Sequence, residues 1–236
     1  MKPPSLFLVP NVIAEDALQT ISPQALSVLK DLRFFLAEDL RTARRFLSSL
    51  RLFSSIEALN FQKLNKDTDY TALDELMRPL LKGESIGILS ESGCPGVADP
   101  GAMAVRWAHE HQIRVVPLVG PSSLLLALMA SGLNGQQFAF HGYLPIETQE
   151  AARKIRELER ESALKNQTQI FIETPYRNQA VFQHLVKNLS AGTRLCVALD
   201  LTGASEDIKT QTIERWRKHE AGWPKLPAVF LFLADA

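Results

Sequence analysis

The sequence predicts an α/β protein of two α/β domains, and three observations carry that expectation. Short apolar runs such as SLFLV (5–9) and SIGIL (85–89) alternate with segments of helical period, the pattern of strands buried on both faces and joined by crossover helices. The 236 residues, 46% hydrophobic and 22% charged, are enough to bury one large or two ordinary cores. The second half repeats the alternation without a low-complexity tract or long linker, so we place the division at 118/119, with domains over 1–118 and 119–236.

In the first half, SLFLV reads as a strand, and SPQALSVLKDL as a helix with Ser22 as N-cap and Pro23 at its first position. Residues 34–37 read as a second strand and the arginine-rich stretch after it as a second helix. Residues 71–81 place Leu73, Leu76, Met77 and Leu80 on one helical face, closed by Lys82-Gly83. SIGIL is a third strand, and RVVPLV a fourth, after a helix that starts with Asp99 as N-cap and Pro100 at its first position. This half reads as a parallel-rich sheet covered on both faces. The second half opens with an apolar helix from Gly120-Pro121 to Gly132. It continues with FAFHGYL, a charged helix over 147–162, the strand TQIFIE and a helix over 177–189. The strand RLCVALDL, a strand running into a helix at SEDIKTQTIERW, and PAVFLFLA complete it.

Composition excludes several function classes. No stretch approaches the roughly 20 apolar residues of a membrane span, and the start MKPPSLFLVPN has one charge and a short apolar run cut by Pro10, so a cytoplasmic location is expected. Cys94 and Cys196 belong to no paired-cysteine motif, and His109 and His111, about 200° apart on a helix, do not share a metal. No metal site is expected. Lys plus Arg and Asp plus Glu are 26 each, so the chain as a whole is no electrostatic trap for nucleic acid. The densest local patch is RTARRFLSSLR, where Arg41, Arg44 and Arg45 share a helix face.

Ligands of open α/β sheets bind beyond the carboxyl ends of strands, which directs attention to the loops there. SESGCPGVADPGAM (90–103) holds three glycines and two prolines, more backbone punctuation than a plain turn requires. With Gly120, Ser122 and Ser123 it offers main-chain amides and hydroxyls rather than ionic clamps. A nucleoside or an amino-acid zwitterion suits that environment better than a triphosphate. Neither a phosphate-binding glycine loop nor a G-x-S-x-G elbow is present. FIETPYRN (171–178) ends a strand at Glu173, and its plain reading is a helix start capped by Thr174 with Pro175 next.

Four of these segments in order, ESGCPGVADPG, VVPLVGPSS, FAFHGYLP and FIETPYR, resemble the tetrapyrrole methylase superfamily of S-adenosylmethionine-dependent methyltransferases. The likeness runs from about residue 5 to the end of the sequence, and is nearest to the branch that methylates a ribose 2′-hydroxyl of a cytidine in 16S rRNA. SESGCPGVADPG fits the family pattern S-x-A-G-x-P-x-x-x-D-P-G with Ser92 in place of alanine, VGPSS fits P-G-P-[CS]-[AS] with Val119 for proline, and EDLRTARRFL resembles E-D-T-R-x-T-x-x-L-L. HGYLP and ETPYR resemble G-F-L-P and E-S-x-H-R.

The resemblance implies two domains of the tetrapyrrole methylase type with the cofactor cleft between them, a homodimer, and S-adenosylmethionine as cofactor. It implies cofactor contacts from Pro10, Ser90, Gly93, Cys94, Pro95, Gly96, Val97 and Asp99, and from Gly120, Pro121, Ser122 and Ser123. In the second domain it implies Tyr143, Leu144, Glu173, Thr174, Pro175, Arg177, Pro227 and Ala228. Glu38, Glu91 and Asp99 are candidates for taking the acceptor's proton, and Arg41, Arg44 and Arg45 for holding RNA phosphates. Where relatives read P-T-P-I-G-N, this chain has Pro10-Asn11-Val12-Ile13-Ala14-Glu15, and where they read E-L-T-K it has Asp200-Leu201-Thr202-Gly203. A small-molecule, tetrapyrrole-like acceptor and a cofactor-binding protein without catalysis are the alternatives to 16S rRNA or the small ribosomal subunit.

Overall fold

A computed structural model describes residues 3–219, 222 and 224–235. The chain divides into two compact units, Met1–Ser122 and Ser123–Ala236. Among the described residues no helix is long and apolar enough to cross a membrane.

In the first unit, β1 (Ser5–Val9), β2 (Phe34–Ala37), β3 (Asn60–Lys63), β4 (Ile86–Leu89) and β5 (Arg114–Pro117) form one sheet in the order β3-β2-β4-β1-β5, every pair parallel. The helices α1 (Pro23–Leu29), α2 (Leu40–Ser49), α3 (Tyr70–Leu81) and α4 (Gly101–Glu110) cross between them. Alternate strand residues face opposite sides, and the sheet has a core on each. Ala25, Leu29, Phe46 and Leu47 of α1 and α2 pack with Val9, Phe35 and Leu89. Leu73, Met77 and Trp107 of α3 and α4 pack with Leu6, Leu36 and Ile88. The neighbours β1 and β4 therefore send their chains in opposite directions over opposite faces, α1 toward β2 and α4 toward β5. In open α/β sheets ligands bind beyond the carboxyl ends of the strands at such a reversal.

The edge strand β3 escapes the sequence pattern because NFQK has one apolar residue, and Asn60, Gln62 and Lys63 are exposed. Phe61 alone faces inward, stacked on Phe35 with ring centroids 5.5 Å apart. Ser22 caps α1 as expected, accepting from Ala25 N at 3.2 Å. The start of α4 differs from expectation: its cap position is Pro100 and its first residue Gly101, because the Asp99 carboxylate is committed to the loop before it. The apolar helix α5 (Ser123–Ser131) likewise begins at Ser123, not at Gly120-Pro121.

In the second unit, β6 (Phe138–Phe140), β7 (Thr168–Glu173), β8 (Arg194–Leu199), β9 (Asp207–Thr212) and β10 (Ala228–Leu233) stand in the order β6-β7-β10-β8-β9. Only β6 and β7 are parallel; the other pairs are antiparallel. The short connection 200–206 forces β8 and β9 to be antiparallel, since a parallel return needs a crossover of a dozen or more residues. The helices α6 (Thr148–Lys165), α7 (Asn178–Asn188) and α8 (Ile213–Trp216) supply Ile155, Leu158, Leu185 and Trp216 to a core with Phe171, Phe230 and Phe232. Trp216 satisfies its indole there by donating to Leu195 O at 2.8 Å.

Candidate functional site

The loops leaving β1, β4 and β5 are tied into one assembly in the first unit, and Asn11 is its central brace. Asn11 is 1% exposed. Its side-chain amide donates to Ser90 O and Glu91 O, both at 3.0 Å, and its backbone N–H to Gly93 O at 2.9 Å. Sequence reasoning omitted Asn11 from the site. Its signal was a polar side chain closing the buried run SLFLVP, where burial demands partners.

Pro10, on the same loop, is pressed against Gly120: a Cβ on Gly120 would lie 2.1 Å from the Pro10 Cβ. A side chain at 120 would have to displace the Pro10 ring. Gly93 and Gly96 hold φ of +67° and +83°, which a side chain would strain. The Cys94 thiol reaches Pro121 O at 3.3 Å, and burial together with the Asp99 charge pushes its pKa up. Asp99 Oδ1 accepts from Gly96 N at 2.6 Å and Gly101 N at 2.8 Å, closing the loop on itself. Pro95 and Pro121 are buried, Ser122 half-buried, and Val97 exposed at the loop tip. Ser90 donates its hydroxyl to Ser92 O at 2.8 Å. These candidates are brought together; Ser123 opens α5 in the second unit.

Acidic groups flank this assembly. Partial burial, then the charges of Glu38 and Asp39, push the Glu91 carboxyl above the ordinary glutamate range. Asp39 itself is the N-cap of α2, accepting from Thr42 N at 2.6 Å, and this hydrogen bond pulls its pKa down. The three arginines of α2 differ from one another. Arg45 pairs with Glu15 at 3.1 Å, Arg44 lies over the Phe61 ring at 5.0 Å from its centroid, and Arg41 stands in the first turn beside Asp39.

At one end of the second unit's sheet, register brings together the exits of β6, β7 and β8 and the entry of β10. Ala228 pairs with both Glu173 and Leu199, and Ile172 N donates to Gly142 O at 2.9 Å. The Glu173 side chain is 1% exposed. Its Oε1 accepts from Thr174 N at 2.8 Å, while Oε2 faces Arg177 at 3.4 Å as an ion pair without a hydrogen bond. Arg177 also reaches Leu144 O at 3.4 Å, so it clamps the β6 exit to the β7 exit. Thr174 does not cap α7. Its carbonyl accepts from Arg177 N and Asn178 N, both at 3.1 Å, and Pro175 lies in that turn, so the helix begins three residues after Pro175. Tyr143 is exposed, Leu144 and Ala228 are core residues, and Pro227 O accepts from Asp200 N at 3.2 Å.

A family model described as Tetrapyrrole (Corrin/Porphyrin) Methylases matches residues 16–216. The chain belongs to this family. The methylase therefore transfers methyl groups, and its glycine-bearing loops lie within or beside the matched span. It is 31% identical over 218 residues to the Ribosomal RNA small subunit methyltransferase I of Mesorhizobium japonicum, covering 92% of this chain and 70% of the relative. To the protein of that name from Vibrio cholerae it is 31% identical over 206 residues, 87% of this chain and 68% of the relative. Among solved structures, uroporphyrin-III-C-methyltransferase from Thermus thermophilus matches with a TM-score of 0.57 at 17% identity, covering 98% of this chain and 92% of that one. That likeness concerns the fold.

Residues 200–206, between β8 and β9, form a turn closed by Asp200. Asp200 and Thr202 adopt φ of +46° and +69°. The Asp200 carboxylate folds over Gly203, 2.3 Å from where a Cβ would stand, and accepts from Ser205 N at 2.9 Å. A side chain at 203 would have to displace that carboxylate.

Proposed function

We propose that the chain transfers the methyl group of S-adenosylmethionine to a ribose 2′-hydroxyl of 16S rRNA, acting in the cytoplasm on the small ribosomal subunit or its precursor. The observation that carries the reading is the buttressed, largely uncharged loop assembly of the first unit, Pro10–Asn11 with 90–101 and 119–122, in a methylase whose relatives at about 30% identity are rRNA methyltransferases. The tetrapyrrole acceptor has the family's name and a structural likeness at 17% identity behind it, and no relative at about 30% identity.

The residues present fit the cofactor. Main-chain groups around Gly93 and Gly96 allow close approach of an uncharged adenosyl group. Glu38, Asp39 and Glu91 repel one another, and a sulfonium-bearing ligand with net positive charge relieves that repulsion. Bound there, the cofactor supplies an activated methyl group for in-line displacement. The chain's own work is to hold the acceptor in line and exclude water. The leaving hydroxyl proton goes to solvent or to a carboxylate; Glu91, with its raised pKa, suits that task better than Asp99, whose Oδ1 is already occupied. Arg41, Arg44 and Arg45 hold phosphates and set register. A second copy of the chain covers α5, where Leu125 and Met129, one helical turn apart, are 52% and 79% exposed.

Mass spectrometry of 16S rRNA from a strain lacking the gene tests the reading. Loss of one ribose-methylated cytidine, restored by the wild-type chain, is expected; an unchanged methylation profile overturns it.

A further inference from the structure

In the second unit an open groove of about 850 Å³ runs between α6 and α7. It shares no residue with the loop assemblies described above. From α6 it is lined by Arg153 and Arg156, and from α7 by His184, Lys187 and Asn188. The spacing explains the convergence: Arg153 and Arg156 are three residues apart on the helix face opposite Ile155 and Leu158, and His184 and Lys187 repeat that spacing on α7.

The cations of this groove are in no close ion pair, although the charge of Arg153 is felt by Glu147 and Glu157. Elsewhere, Lys154 pairs with Glu157, Lys165 with Glu161, Arg177 with Glu173 and Arg194 with Asp235. Among the described residues Arg153, Arg156 and Lys187 form no ion pair, and all three are exposed. Arg156 donates to Asn188 Oδ1 at 2.8 Å, which fixes its guanidinium along the groove wall. Two acids also line the groove. Glu147 is occupied as the cap of α6, accepting from Gln149 N at 2.9 Å and Glu150 N at 2.7 Å, and Glu150 follows it at the groove's end. The stretch from residue 153 of α6 to 188 of α7 thus presents three positive charges, an imidazole and two amides, Gln183 and Asn188, with no acid among the groove residues there.

We propose that this groove is an RNA-backbone contact, distinct from the arginines of α2, that takes phosphodiesters of the acceptor. It rests on the rRNA reading above. A planar guanidinium pair with an ammonium between two rigid helices suits phosphate oxygens, and such contacts carry affinity and register without reading sequence.

The test is fluorescence anisotropy of the full chain against a 16S rRNA transcript and against purified small subunits, across a salt series. The triple variant Arg153→Gln, Arg156→Gln, Lys187→Gln is expected to bind both about tenfold more weakly at low salt, with the slope of log K on log salt reduced by about 2, near 0.7 for each lost phosphate contact. Its melting temperature and its affinity for S-adenosylmethionine stay at wild-type values. The control Lys154→Gln, Lys165→Gln, which removes paired cations from the same helix, leaves binding unchanged. Wild-type binding and slope in the triple variant overturn the groove alone. Weakening on subunits with an unchanged transcript affinity assigns the groove to a ribosomal protein and overturns the RNA contact. A wild-type chain that binds neither probe overturns the acceptor reading and the groove together.

Discussion

Gly120 and Pro10 touch so closely that an added methyl on the glycine would overlap the proline ring, with Cβ to Cγ at 2.4 Å. The contact joins the exits of β5 and β1, so Gly120→Ala must push apart two walls of the same loop assembly. It is expected to weaken S-adenosylmethionine binding by at least about tenfold, as expected where atomic placement fixes affinity, and to lower the melting temperature. Gly135→Ala and Gly192→Ala, whose Cβ positions meet nothing within 4 Å, serve as controls and leave both quantities unchanged. Calorimetric titration and thermal melts read the result.

Asn11→Ala removes both amide donations to Ser90 O and Glu91 O and leaves two carbonyls short of partners. The cost is about 2 kcal/mol, or roughly 4–8 °C in melting temperature for a chain of this size. Asn11→Asp is worse than alanine, because it turns a carboxylate oxygen toward those carbonyls. Equal melting temperatures for the two variants would show that the brace does not act through the amide.

Asp99 separates two roles that sequence alone leaves joined. An asparagine keeps an acceptor oxygen for Gly96 N and Gly101 N, so a structural brace survives Asp99→Asn with methylation within a few-fold of wild type, while Asp99→Ala loses cofactor affinity. A fall of about 10²-fold in kcat for Asp99→Asn, with cofactor affinity intact, would instead make Asp99 the proton acceptor.

Glu91 gives a pH dependence with a definite sign. Its folded pKa is raised, first by burial and then by Glu38 and Asp39, so the native chain holds more protons than the unfolded one from the ordinary value of 4.5 upward. Stability therefore declines as pH rises through that window. Glu91→Gln removes the decline: its melting temperature exceeds wild type at pH 7, and the two curves merge below pH 4.5. A variant that melts lower than wild type at pH 7 contradicts the assignment.

The pair Arg45–Glu15 is exposed at both ends, 67% and 81%, and contributes about 0–1 kcal/mol to stability. It does occupy one of the three arginines proposed for RNA. Glu15→Gln should leave the thermal melt in place and tighten binding of a 16S rRNA transcript at low salt, the gain vanishing as salt rises. Unchanged affinity at every salt concentration would remove Arg45 from the contact.

What the sequence made legible follows from how locally each feature is encoded. Buried strands such as SIGIL and the Ser22-Pro23 cap announce themselves within a few residues, and so do the glycines of 90–101. The edge strand β3 does not, because NFQK forms only by pairing with β2 and by resting Phe61 on Phe35. The antiparallel pairing of β8 and β9 depends on a loop length, and the role of Asn11 on three partners about 80 residues away. The carboxylates at Asp99 and Thr174's neighbour Glu173 illustrate the same limit. Asp99 directly precedes a proline and Glu173 stands two residues before one, prolines that read locally as helix starts, yet each carboxylate folds into its own loop and the helix starts downstream.

The position of β1 at the heart of a parallel sheet also governs how the first unit assembles. Its partners are β4 and β5, in register Leu6 with Ile86 and Ser5 with Arg114, so on a growing chain the earliest strand waits for the latest ones. Contacts of such long sequence separation slow folding through the entropy of closing large loops. A nascent chain that ends before residue 86 can pair β2 with β3 but leaves SLFLV with no strand beside it, and the loop assembly at the exits of β1, β4 and β5 takes shape only when synthesis has passed β5.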